Sequence, residues 1–297
     1  MVFQPSLQLL VLMGAAILFM VVYPLGVALI VRHHLAVGWR YFGYGALVFF
    51  VSQIVLRVPI VLVATPLVAP AIAASRPLAI GWGLLLAVTA GVFECGGRYF
   101  GYRWLMRRED KTWGKAIMYG VGHGGLESMV LVAGLAILQV VSLLTLTSAS
   151  VDAMPAAQHA AVMQQITTLT SGPFWLPLLG AWERLWTLAI QVALSVLVLQ
   201  VFRRGSMAWL ALAIGLHSLV DFVTPTLIPL LGLPSLQTSL LSELTIAVFG
   251  LFSLWIVFAL RPRASSVRAE SVHLDQGHVP VAGYLHAPAE LPLGPRP

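Results

Sequence analysis

Apolar blocks of roughly 20 residues or more recur along this chain, the length a helix needs to cross the hydrocarbon core of a bilayer. No other feature restricts the fold as much. Seven such blocks are predicted to be membrane spans, at about 7–31, 41–66, 79–102, 115–146, 176–201, 207–230 and 236–260. The expected fold class is therefore all-α: a polytopic integral membrane protein, a bundle of about seven transmembrane helices. Composition agrees, with 59% hydrophobic and 9% charged residues, where a soluble domain carries ~25% charged. The first block has neither a basic segment before it nor a small-residue cleavage site, and it reads as a span rather than a signal peptide.

Lysine and arginine alternate from loop to loop. Arg32 and Arg40 flank the first connection, Arg103, Arg107, Arg108, Lys111 and Lys115 the third, and Arg203 and Arg204 the fifth; Arg261, Arg263 and Arg268 follow the last span. The other loops hold only Arg76. The positive-inside rule then predicts an N-terminus outside and a C-terminus in the cytoplasm of a plasma membrane. The net charge of +6 reflects this loop bias, and scattered basic residues without a recognition motif predict no nucleic-acid partner. Two parts are expected: a helical domain over 1–262 and a Pro-rich, polar, disordered cytoplasmic tail over 263–297. A short amphipathic helix is expected around 152–169 in the long outside loop. The single Cys95 excludes an intrachain disulfide and reads as a packing residue.

Ionisable groups inside spans are costly and usually face a partner or a cavity. Three fall at one depth: Glu94 in the third span, His123 in the fourth and His217 in the sixth lie ~12–15 Å from the predicted cytoplasmic edge at ~1.5 Å rise per residue. Each has a polar companion four residues on, hence on the same helix face: Arg98, Glu127 and Asp221. Gly96 and Gly97, and Gly122, Gly124 and Gly125, adjoin these groups and would permit close helix approach. A glutamate between two histidines can activate a water as general base while an imidazole holds a developing oxyanion. Two histidines with carboxylates are equally an ordinary zinc shell, although HExxH is absent. A cofactor is therefore not required by the pattern, and zinc remains the metal it would suit.

These residues fall in motifs. Glu94-x-x-x-Arg98, Tyr119-x-x-x-His123 and His217-x-x-x-Asp221, in that order on successive helices, resemble the glutamic intramembrane proteases related to the CAAX-prenyl endopeptidases. The stretch GVGHGGLE is similar to their bacterial branch of YhfC-like membrane peptidases. The resemblance covers about residues 80–225. It implies that Glu94 activates water, His123 assists, and His217 with Asp221 forms the oxyanion side. It implies a bacterial membrane peptidase whose partner is a membrane protein or lipid-modified peptide in the bilayer. Two departures matter. The usual pair of glutamates is single here, preceded by Phe93, and Glu127 is additional, so either Glu94 or Glu127 could be the base.

Other intramembrane charges invite structural readings. Arg57, Glu183, Arg184 and Glu243 are expected to form an outer network pinning the second, fifth and seventh spans, with Glu183 and Arg184 as possible support for the site. Asp221 could pair with Arg57. The cavity is expected to open toward the cytoplasmic half. Two other functions use the same residues: a transporter with a Glu/His relay, and a non-catalytic scaffold or immunity protein.

Overall fold

The computed structural model describes residues 5–146 and 148–262; the predicted tail lies outside them. Among these residues seven helices are long and apolar enough to cross a membrane: Leu7–Leu35, Trp39–Ala74, Arg76–Trp104, Trp113–Thr145, Leu178–Arg204, Ala208–Leu231 and Ser235–Ala259. They coincide with the seven expected spans. The second runs on to Ala74, through Pro66 and Pro70. Two short helices, Ser148–Asp152 and Ala156–Ser171, occupy the long loop between the fourth and fifth spans.

Local chemistry sets the ends. Ser75 ends the second span, and its hydroxyl accepts the Leu78 amide to start the third. Thr112 caps the fourth span in the same way through the Lys115 amide. Gly205 (φ 68°) closes the fifth, in the left-handed conformation that glycine tolerates best.

The fifth span is the axis of the bundle. Of its most apolar stretch 72% is buried, against 17–39% in the other six. The fourth span threads between the second and the fifth, and glycines let it. A Cβ on Gly122 would stand 2.0 Å from the Phe42 carbonyl oxygen, and one on Gly45 would stand 1.9 Å from that of Tyr119. On the opposite face, a Cβ on Gly120 would meet the Val192 Cα at 2.6 Å and one on Gly124 the Gln191 Cβ at 2.8 Å. The glycines around His123 are thus contact surfaces, as expected. Gly96 differs: nothing stands within 4 Å of its would-be Cβ. Gly45→Ala should force the second and fourth spans apart and lower stability by about 1–3 kcal/mol, the usual cost of overpacking. Unfolding in nanodiscs measures this, and an unchanged midpoint would refute the contact.

Prolines free carbonyls inside the spans, and the bundle deals with them. Pro24 cannot donate to the Met20 carbonyl, four residues back; the Ser128 hydroxyl, from the fourth span, donates to that oxygen at 2.8 Å. Helices also loosen to π-type turns at Phe50–Arg57, Glu127–Val132 and Val223–Leu227. Each adjoins a polar group discussed next, a placement common at functional sites.

Candidate active site

Three spans bring their buried polar groups to one point. Glu94, His123 and His217 are 4%, 0% and 4% exposed. His123 Nε2 lies 3.1 Å from Glu94 Oε2, and His217 Nε2 lies 3.7 Å from Glu94 Oε1. Asp221, one turn beyond His217, places Oδ2 3.3 Å from the same Nε2. The depth matching done on the sequence corresponds to contact in space.

The carboxylate of Glu94 is held from several sides. Arg98, fully buried, lies with Nη1 3.5 Å from Oε2. Gln191 Nε2, from the fifth span, donates to Oε2 at 3.3 Å. Gln53 Nε2, in the widened turn of the second span, donates to Oε1. Arg98 spreads its fork further: Nη2 donates to Gln191 Oε1 and Nε to Ser195 Oγ at 3.2 Å. Neither glutamine nor Ser195 was singled out in the sequence. The available signal was Gln191 itself, an uncharged amide within the apolar run LAIQVALS, where a buried polar group must find a partner.

Glu127 is engaged differently. Arg184 Nη1 donates to its Oε1 at 2.9 Å and Gln191 Nε2 to its Oε2 at 2.6 Å, so both oxygens are occupied. Arg184 also pairs with Glu183. The expected outer network is therefore only partly present: Arg184 turns to Glu127 on the fourth span. Arg57 turns to the third span instead, donating to the Leu86 carbonyl at 2.7 Å and to Thr89 at 3.5 Å, and reaches Gln53 at 3.4 Å. Asp221 is paired with His217. Cys95 does more than pack, since its Sγ stands 3.9 Å from His217 Nδ1.

Tyr119, four residues before His123, stacks on Tyr102 with ring centroids 4.7 Å apart, and its hydroxyl is buried without a partner. Tyr119→Phe should therefore leave thermal stability unchanged or raise it, because an unsatisfied donor is removed. A fall of the unfolding midpoint in nanodiscs would show that the hydroxyl is bonded.

A cavity of about 690 Å³ touches this centre at Asp221. Its walls include Arg57, Glu183, Thr224, Ser239, Ser242 and Glu243. Its lining reaches span ends near the loops around 148–177 and 231–235, at Leu176, Pro229 and Thr238.

The donor types suit a divalent metal. Two imidazole nitrogens and a carboxylate form a catalytic zinc set; here the imidazoles stand 3.1 and 3.7 Å from different oxygens of Glu94. The side chains close on one another as they stand. Among the described residues no group of three or more His, Cys, Asp or Glu is spread around a vacant ion position.

Fold and centre together define a polytopic membrane protein with a carboxylate–imidazole cluster suited to hydrolysis inside the bilayer. The chain belongs to the family described as YhfC intramembrane metalloprotease, which it matches over residues 19–246. It is also 29% identical to the "Uncharacterized membrane protein YhfC" of Bacillus subtilis (strain 168), over 88% of this chain and 99% of that one. No solved structure matches the chain.

Proposed function

We propose that the chain is an intramembrane endopeptidase in which Glu94, His123, His217 and Asp221 form the hydrolytic centre. The observation that carries this reading is the convergence of Glu94 with two imidazoles, at 3.1 and 3.7 Å, from three separate spans. Nothing in helix packing requires three ionisable groups to meet in a bilayer, and such groups commonly mark function. The substrate is a segment of a membrane protein, or a lipid-modified peptide, at or within the plasma membrane.

In this reading Glu94 takes a proton from the attacking water. Gln53, Gln191 and Arg98 aim the carboxylate. His217, with Nδ1 beside Cys95, would turn its Nε2–H from Asp221 to the carbonyl oxygen as charge develops on it. Glu94 then gives that proton to the leaving amine, assisted by His123, whose Nε2 lies 3.1 Å from its Oε2. Glu127, whose oxygens accept from Arg184 and Gln191 while Glu94 is the carboxylate beside both imidazoles, positions Gln191 and is not the base. Arg184 and Glu183 hold Glu127, and Tyr119 packs beneath His123.

A second reading follows from the donor set. If a divalent metal such as zinc binds here, His123, His217 and Glu94 would hold it. It would then supply Lewis-acid polarisation and a more acidic water.

One experiment tests both. Purified protein in nanodiscs is given a library of membrane-tethered peptides, with and without a chelator. We expect cleavage that survives chelation, because both Glu94 oxygens already have protein partners. Cleavage abolished by chelator and restored by zinc would replace this mechanism with the metal-bound one. Flux of protons or ions in the same nanodiscs, with no cleavage of any peptide, would favour a transporter.

A further inference from the structure

The geometry points to access from one face only: water and substrate reach the centre through the cavity at the end of the bundle opposite the basic loops. The substrate of the proposed peptidase is then a segment presented at that face, which the positive-inside rule makes the outer one. This inference rests on the hydrolytic reading only for what passes through the cavity, not for where it opens.

Two independent observations support it. The first is the cavity's own position. Its lining comes from the ends of spans that meet at that face: Leu176 and Leu179 before and in the fifth, Pro229 in the sixth, Thr238 and Ser242 in the seventh. One member of the lining, Asp221, is also the exposed member of the cluster. The Asp221 side chain is 37% exposed, whereas those of Glu94 and His217 are 5% exposed and that of His123 is fully covered. From Asp221 the path to Glu94 runs across a single imidazole, His217. The walls carry hydroxyls and carboxylates, which a hydrated passage needs and lipid tails do not supply.

The second observation is a seal on the other side. Between the cluster and the basic loops lie Tyr102, Tyr119, Met106 and Met118, all 0% exposed. Tyr102 and Tyr119 stack, and the Tyr102 hydroxyl is tied to the Ser195 carbonyl at 3.0 Å. Phe49 lies edge-on to His123 with centroids 5.1 Å apart. A peptide coming from the basic face would have to displace this whole layer. A groove does lie nearer that end, between the second and third spans. It is lined almost wholly by apolar side chains such as Leu47, Val51, Phe93 and Phe100, with Ser52 its one hydroxyl.

Thiol labelling of the full-length protein in sealed vesicles tests this directly. Ser242→Cys and Asp221→Cys place a thiol in the wall and at the floor of the cavity. Asp152→Cys and Arg108→Cys mark the two faces of the bundle. The wild-type chain, whose only thiol is the buried Cys95, serves as the blank. A membrane-impermeant charged maleimide is applied to each face in turn. The expected result is that Ser242→Cys and Asp221→Cys label from the same face as Asp152→Cys and not from that of Arg108→Cys. Labelling from the Arg108→Cys face, or from neither face while the denatured protein labels fully, overturns the inference. The peptidase reading is judged separately, by cutting of peptides displayed on one face. Cutting only on the face of Asp152→Cys is expected, and cutting only on the other face overturns the inference. No cutting on either face counts against the peptidase reading and leaves the labelling result to decide the access route.

Discussion

Glu94→Gln should abolish peptide cleavage while leaving the bundle folded. The change keeps the shape of the side chain and lets one oxygen go on accepting from Gln53, Gln191 or Arg98. It removes the proton acceptor. A positioned general base contributes typically 10²–10⁴-fold, and the loss in turnover should be about that size. The change also breaks the ion pair with the fully buried Arg98, so the unfolding midpoint in nanodiscs should fall, and turnover is compared at a temperature below the midpoint of the variant. Glu127→Gln is the matched control. Its oxygens already serve Arg184 and Gln191, so the amide should weaken positioning and slow cleavage far less. If Glu127→Gln were inactive and Glu94→Gln active, the roles assigned here would be reversed. If both cut at the wild-type rate, neither carboxylate is a base and the hydrolytic reading fails.

Much of this was legible in the sequence, for physical reasons. A span must satisfy its backbone internally and bury its polar groups, so its length and its few charges are both conspicuous. The seven spans, and the depth at which Glu94, His123 and His217 meet, follow from counting residues at a fixed rise. Rotational detail did not follow so readily. Cys95 is adjacent to Glu94 in the chain and was read as a packing residue, yet the third and sixth spans pack closely enough for its thiol to stand 3.9 Å from His217 Nδ1. Arg184 lies one residue from Glu183 and could have faced either the seventh span or the fourth; only the packing of the fifth span decides for Glu127. Gln53 and Gln191 carry no charge and stand in no motif, so of the partners that orient Glu94 only Arg98 was conspicuous, and Gln191 left no more than the mark of an amide in an apolar run. The lining of the cavity was hidden for a related reason. Residue depth tells which end of the bundle a group is nearer, but which end is sealed depends on aromatic side chains such as Tyr102 and Tyr119 meeting from different spans.

The strongest test of how the centre is held is Arg98→Met. Arg98 is fully buried, yet touches Glu94, Gln191 and Ser195 at once. Its guanidinium is the positive charge that balances the carboxylate in a region without bulk water. Breaking a buried ion pair from one side typically costs 3–5 kcal/mol, about the loss expected here, because the remaining charge is stranded. Methionine fills similar volume and keeps the packing, so the effect reports on charge and hydrogen bonds. Arg98→Lys should recover only part of the loss, since an ammonium cannot span three acceptors as the planar fork does. The double variant Arg98→Met with Glu94→Gln separates charge from shape. With no carboxylate to strand, it should be more stable than Arg98→Met alone by denaturant unfolding in nanodiscs. If Arg98→Met costs the same in both backgrounds, Arg98 serves the fifth span through Gln191 and Ser195, and the ion pair with Glu94 is incidental to stability.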